Sequence, residues 1–497
     1  MIKRSAGLLM HITSLPSPYG IGTLGRESHA FADFLAKAGQ RFWQVLPVGP
    51  TGSGDSPYQS FSSFAGNPYL IDLELLAEEG LLERRALEAI NWGDDPALVD
   101  YGKLYRSRFA VLEQACAACL KTRRAEIERF EDEQRHWLPD YALFMALKRR
   151  FGMRSWLTWP DEALRMREAS ALEEARRELA EDTTFFTCLQ YLFYRQWDAL
   201  RAHCREQGVQ LIGDMPFYTS ADSADVWSQP QFFQLDAQRR PTHAAGVPPD
   251  YFSKSGQLWG NPLYDWEAMA ADGYGWWIRR IGGMERLFDW VRVDHFRGFS
   301  AYWSVPAGAQ SAAEGQWRPG PGAALPRILS SWFPQLGFIA EDLGEPSPDL
   351  KKLMEESGFP GMEVLQFAFT GAADNPYLPH NHARNAVCYV GTHDNATLAQ
   401  WVREARPAER RNARAYLGIG HGSLHEAMLR AGMASVSALF VSCMQDWLET
   451  GAEGRMNRPG TVFGNWRWRM QPGMLRDALA ERIREMTGRY GRLEDEQ

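Results

Sequence analysis

Three short stretches hold carboxylates where chemistry would need them. The first is "RVDHFRG" (292–298), in which Asp294 lies between Arg292 and Arg297, beside His295 and just after the apolar run "LFDWV". In an extended chain the side chains alternate, so Arg292 and Asp294 share one face while Val291 and Val293 share the other. A nearby guanidinium favours the ionised carboxylate and aims it, which suits a nucleophile better than a general acid. A structural ion pair is the competing reading. The second stretch, "FIAEDLG" (338–344), puts Glu341 at the end of an apolar run with no basic residue within seven positions on either side. A desolvated glutamate keeps its proton near neutrality and fits a general acid, unless it is simply an exposed strand end. The third, "VGTHDN" (390–395), ends an apolar run with His393 and Asp394. A neutral histidine beside a carboxylate can hold paired hydroxyls and support developing positive charge. A metal is the other use of such residues, but no second histidine is placed to complete its shell. One ionised carboxylate, one protonated and a third to orient substrate make a division of labour between acid and nucleophile.

The aromatic residues suggest what these groups act on. The chain has 19 Trp, 26 Phe and 17 Tyr. Several Trp fall in polar stretches rich in glycine and proline: Trp227 in "ADVWSQP", Trp259 in "GQLWGNP", Trp466 and Trp468 in "GNWRWRM". A flat apolar face with a polar edge suits a sugar ring, whereas burial in the core is the plainer use of Trp. Carboxylates combined with open aromatics point to glycosyl transfer with retention. A nucleophile would form a covalent glycosyl–enzyme, and the acid would first protonate the leaving oxygen and then activate the acceptor.

Eight apolar runs that end in polar residues must position these groups: 7–15, 41–50, 209–218, 287–296, 338–344, 362–370, 385–395 and 437–446. Most read as buried strands, with helical patterns such as 347–358 between the later ones, where Ser347 is a plausible N-cap and Gly358 a stop. The alternation predicts an α/β fold, a (β/α)8 TIM barrel with Asp214, Asp294, Glu341 and Asp394 at the C-terminal ends of its strands. A doubly wound open sheet is the alternative, but no G-x-G-x-x-G follows the first strand. The glycine-rich "GPTGSGDSPY" (49–58) lacks the Lys-Ser/Thr ending of a phosphate loop. The expected organisation is a single catalytic barrel over 1–497. A largely helical insertion (71–207) separates strands two and three, and a loop-rich insertion (219–286) covers the active site.

Charge and cysteines narrow the partners. A net charge of −8 provides no basic footprint for nucleic acid or an anionic membrane. No apolar run approaches the ~20 residues of a membrane span. The N-terminal "MIKRSAGLLMHITSLPSPYG" reads as a first strand rather than a signal peptide, so a cytoplasmic location is expected. The six cysteines (116, 119, 188, 204, 388 and 443) include one C-x-x-C inside a helical pattern. With no second pair, buried helix cysteines are the reading.

Seven long stretches then carry a resemblance. These are 46–76 ("LPVGPTGSGDSPYQSFSSFAGNPYLIDLELL"), 212–227 ("IGDMPFYTSADSADVW"), 246–266 ("GVPPDYFSKSGQLWGNPLYDW") and 292–299 ("RVDHFRGF"), followed by 339–344 ("IAEDLG"), 391–397 ("GTHDNAT") and 456–470 ("MNRPGTVFGNWRWRM"). In this order, from about residue 5 to 490, they closely resemble amylomaltases, the 4-α-glucanotransferases related to the α-amylase group. The resemblance implies a (β/α)8 barrel with insertions and no separate C-terminal β-domain. It implies transfer of a 4-α-glucanosyl segment from one α-1,4-glucan or maltooligosaccharide to another, or to glucose, without metal or organic cofactor. Asp294 takes the position of the nucleophile, Glu341 of the acid/base and Asp394 of the carboxylate that distorts substrate. Asp214, Arg292 and His393 match substrate-binding positions, and Tyr58 matches the aromatic that stacks on the donor sugar. Asp250 and Trp259 fall in a loop that folds over glucan in relatives, and Asn465 lies near the same subsite. No nucleic acid or membrane partner is expected, and the assembly is expected to be a monomer or weak homodimer. Two positions depart from the pattern. Ser53 stands where some relatives have a Tyr in a second glucan-binding groove, and Ala396 replaces the usual acid after "GTHDN". An α-1,4-glucan hydrolase and a non-catalytic glucan-binding protein are the alternatives; the three carboxylates argue against the latter.

Overall fold

The computed structural model of the chain describes residues 2–52, 54–249, 255–344 and 347–493. Among these residues the strands, in chain order, begin with β1 (Ser5–Leu9), β2 (Phe42–Gln44) and β3 (Gln210–Met215). A pair, β4 (His243–Val247) and β5 (Gln257–Pro262), comes next, followed by β6 (Trp290–Val293) and a hairpin of β7 (Ala301–Pro306) and β8 (Gln316–Pro319). The last four are β9 (Gly337–Ala340), β10 (Gly361–Val364), β11 (Ala386–Tyr389) and β12 (Leu439–Cys443).

Eight of these strands form one parallel sheet in the order β10-β11-β12-β1-β2-β3-β6-β9. They coincide with the eight apolar runs of the sequence. Every residue of β1, β11 and β12 is buried, as expected where side chains face the barrel interior on one side and helices on the other. The sheet curls until β9 and β10, the ends of its order, meet: the Ala340 N–H donates to Pro360 O at 2.9 Å. The result is a nearly closed (β/α)8 barrel.

Between β2 and β3 the chain forms helices, among them Tyr101–Thr122, Leu138–Arg150 and the long Ala180–Glu206. Cys116 and Cys119 are buried on the first of these, near Cys188 on the last, so the C-x-x-C is core packing. One tie reaches from this segment towards the site. The Lys148 side chain is fully buried, with Nζ 2.6 Å from Asp222 and 4.6 Å from the Phe61 ring centroid. A buried ammonium is tolerated only with such partners, and these lie on the loops after β3 and β2.

Beyond β3, strands β4, β5, β7 and β8 make a small antiparallel sheet, ordered β5-β4-β7-β8. Beneath it Tyr264, Trp266, Trp277, Phe217 and Phe299 pack ring against ring, with centroids 4.9–6.4 Å apart. No described helix is long and apolar enough to cross a membrane.

Candidate active site

Strand register explains why residues far apart in sequence meet at the C-terminal rim. Asp214 on β3 is the direct partner of Arg292 on β6. Arg292 Nη1 lies 2.7 and 2.8 Å from the two Asp214 oxygens and 3.0 Å from Asp294 Oδ1. β6 and β9 pair from Trp290↔Gly337 to Val293↔Ala340, and continuing that register sets Asp294 opposite Glu341. The ladder extends to these two residues, because the Asp294 N–H donates to Met215 O and the Glu341 N–H to Val293 O, both at 3.0 Å.

The next residue, His295, turns into the left-handed region (φ 47, ψ 47), which is strained for anything but glycine and clusters at functional sites. The turn directs the His295 N–H to Glu341 Oε2 at 2.7 Å, while the Leu343 N–H reaches Oε1 at 3.2 Å. Burial holds the His295 ring neutral, with its pKa lowered to about 3 and Arg297 adding to the effect. Among the described residues its Nε2 has no hydrogen-bond partner although it is buried. Trp259 on β5 stands edge-on to this ring, with centroids 5.0 Å apart.

On the opposite wall, the Tyr58 hydroxyl donates to Asp214 Oδ2 at 2.8 Å and therefore accepts from His393 Nε2 at 2.9 Å. The two rings stack at 5.3 Å, and Trp466 packs 5.9 Å from each. Burial lowers the His393 pKa, so the ring is neutral, and Nε2 is also 3.3 Å from Asp394 Oδ1. Asn457 Nδ2 donates to the same Asp394 oxygen at 2.6 Å, and Arg455 Nη2 to the Asp394 carbonyl at 2.9 Å.

The electrostatics differ from the sequence expectation in one respect. In the sequence the flanking arginines favour an ionised Asp294. Although 31% of the Asp294 side chain faces the opening, desolvation of its carboxyl raises the pKa to about 8. Asp214, Glu341 and Asp394 add to this against the pull of Arg292. The reason is that one guanidinium serves two carboxylates, and Asp214 holds it more closely. The second arginine of the motif, Arg297, lies over the Trp317 ring at 4.6 Å. Glu341 is raised too, by burial first and by Asp342, against Arg292 and the two N–H groups. Two facing carboxyls that are both raised retain a proton between them into the neutral range.

The structure thus brings together Tyr58, Asp214, Trp259, Arg292, Asp294, Glu341, His393 and Asp394. Asn465 is different: its Oδ1 accepts from the Arg458 N–H at 3.1 Å and its Nδ2 donates to Thr461 O at 3.0 Å, so it shapes its own loop. Asp250 and Ser53 lie outside the described residues. Ala396 uses its carbonyl, accepting from Gln366 Nε2 at 2.8 Å. Of the four Trp singled out for sugar faces, Trp227, Trp466 and Trp468 are buried and only Trp259 is half open. Trp227 lies under the Arg167 guanidinium, 4.2 Å away, with Nε1 bonded to Leu164 O. Long loops have no ladder to order them, and large indoles anchor them instead. Sequence reasoning missed Asn457 and His295 as site residues, although both lie inside motifs that were singled out.

Opposed carboxyl groups at the C-terminal rim of a parallel barrel, one gripped by a buried arginine, define a barrel enzyme equipped to break and remake glycosidic bonds. The comparisons with known proteins agree. The chain belongs to the 4-alpha-glucanotransferase family, whose model matches residues 10–476. It is 47% identical to the 4-alpha-glucanotransferase of Thermus thermophilus, over 99% of this chain and all of that one. The structure of an amylomaltase from Streptococcus agalactiae in complex with acarbose superposes with a TM-score of 0.96 at 42% identity, covering 99% of this chain and all of that one. The amylomaltase of Corynebacterium glutamicum shares the fold, with a TM-score of 0.79 at 21% identity over 99% of this chain and 75% of that one.

Proposed function

We propose that this enzyme moves α-1,4-glucan segments between maltooligosaccharides by double displacement. The observation that carries the reading is the placement of Asp294 and Glu341 opposite each other on adjacent strands, with Arg292 touching Asp294 alone of the two. In the free site the pair shares one proton; when that proton resides on Glu341, the Arg292 contact stabilises the negative charge on Asp294. An Asp294 oxygen attacks C1 of the donor as the C1–O4 bond breaks, and the Glu341 proton passes to the departing O4. The 4-hydroxyl of an acceptor then attacks C1, returns a proton to Glu341 and releases the Asp294 carboxylate. Asp394, held by Asn457 beside His393, faces the ring hydroxyls, and Trp259 with the His295 Nε2 receives the sugar on the other side of the bond. Transfer exceeds hydrolysis to the extent that this wall keeps water from the covalent intermediate.

The test is incubation with maltotriose alone, with products separated and reducing ends counted. A ladder of longer maltodextrins plus glucose at a constant reducing-end count is expected. Rising reducing ends with only glucose and maltose would mean a hydrolase. Asp294→Asn should abolish turnover while still binding acarbose, the ligand seen in the Streptococcus relative; turnover near wild type in that variant removes the mechanism.

A further inference from the structure

The barrel has one seam where no strand ladder runs, between β9 and β10 at the ends of the sheet order. Besides the Ala340–Pro360 bond, it is bridged by a side chain: the Met362 N–H donates to Asp342 Oδ1 at 2.9 Å. The carboxylate stands where a neighbouring strand would offer a carbonyl. It packs so closely on Gly361 that a Cβ there would meet Oδ2 at 2.4 Å, so a side chain at that point would displace the carboxylate.

Both ends of this bridge lead to the reacting groups. Asp342 follows Glu341 in the chain. Met362, whose main chain it holds, receives Arg292 Nε on its sulfur at 3.4 Å, and the same guanidinium holds Asp294. The Asp342 carboxylate is turned to the seam and does not reach for a ligand. We propose that Asp342 is a positioning residue that closes the β9–β10 seam and thereby sets Glu341 in register with the Arg292–Asp294 pair. The role rests on the glucan-transfer reading of the site.

Asp342→Ala removes the bridge, while Asp342→Asn keeps an acceptor oxygen for the Met362 N–H. For maltotriose disproportionation, Asp342→Ala is expected to lower kcat on the order of 10–100-fold, the cost of misplacing an acid by a fraction of a bond length. KM should stay within about threefold, because binding residues on the other walls are untouched. Hydrogen exchange at the Met362 amide should quicken in the same variant. Asp342→Asn should restore slow exchange, and kcat to near wild type at the variant's own pH optimum, because loss of the Asp342 charge also lowers the Glu341 pKa. Gly361→Ala pushes on the same carboxylate from β10 and should lower kcat without removing Asp342, which guards against a misfolded Asp342→Ala. Three results would overturn the proposal: normal kcat with fast Met362 exchange, an Asn variant as impaired as Ala, or wild-type kcat in Gly361→Ala. A wild-type protein that does not disproportionate maltotriose would count against the functional reading instead, while Met362 exchange still reads the seam.

Discussion

At the floor of the site one guanidinium serves Asp214 and Asp294, so the proton balance of the site belongs to a group of residues and not to any single one. Removing the proton donor separates the two chemical steps. Glu341→Gln keeps one acceptor oxygen, enough for either the His295 or the Leu343 N–H, and turns an NH2 to the other; it cannot protonate O4. Turnover of maltodextrins should fall by about 10²–10⁴. A donor whose leaving group needs no proton should still form the glycosyl–enzyme at nearly the wild-type rate, read as a burst of released leaving group. If that donor is slowed as much as maltotriose, Glu341 is not the acid. The three carboxylates were legible in the sequence because each ends an apolar run. The sharing of Arg292 was not, because Asp214 lies 78 positions away and only strand register brings it across.

Elements show the same division. The barrel strands were legible because buried parallel strands are continuous apolar runs, yet the runs overstate their length. β2 ends at Gln44, while Val45, Leu46 and Val48 stay buried as a loop that dives into the core. Trp227, Trp466 and Trp468 take the plainer of the two uses the sequence leaves open, because a loop core and a sugar platform draw on the same residue. β5 separates them, since Trp259 faces His295 and Tyr218 while its neighbour Leu258 is exposed on the other side. Trp259→Ala should therefore act on substrate and not on folding. Losing an aromatic face worth ~0.5–1.5 kcal/mol predicts affinity for long maltodextrins lower by about 2–12-fold. The ratio of hydrolysis to transfer should rise as well, measured as reducing ends formed per glucose released. An unchanged ratio and affinity would make Trp259 a packing residue.

At the scale of the whole molecule, several ionisable groups, in the site and away from it, are buried or half-buried, and their titration ties stability to pH. Burial lowers His11 to about 3, with His393 adding, and His295 is likewise near 3. Both are neutral in the fold, whereas the unfolded chain binds protons there below about 6.5. Their contribution is thus present above 6.5 and lost as pH falls toward 3. Asp446, buried after β12, accepts the Leu398 N–H at 2.8 Å and is raised by burial to about 7, and Glu363 is raised to about 7 as well. These acids hold protons that the unfolded chain has released, so their contribution is present at acid pH and lost as pH rises through 7. Between about pH 4.5 and 6.5 the two kinds of group oppose each other, which flattens the profile. None of this was legible in sequence, because "MQD" and "LMHI" read alike whether buried or exposed. Asp446→Asn separates the contributions: the amide oxygen still accepts the Leu398 N–H but carries no titrating proton. In urea unfolding from pH 5 to 8, the variant should gain on the wild type by up to about 1.4 kcal/mol per pH unit until near pH 7, and then run parallel. Glu363 and the histidines are common to both proteins and cancel in the difference. A difference independent of pH would show that Asp446 does not titrate in that range and that its carboxylate is buried ionised.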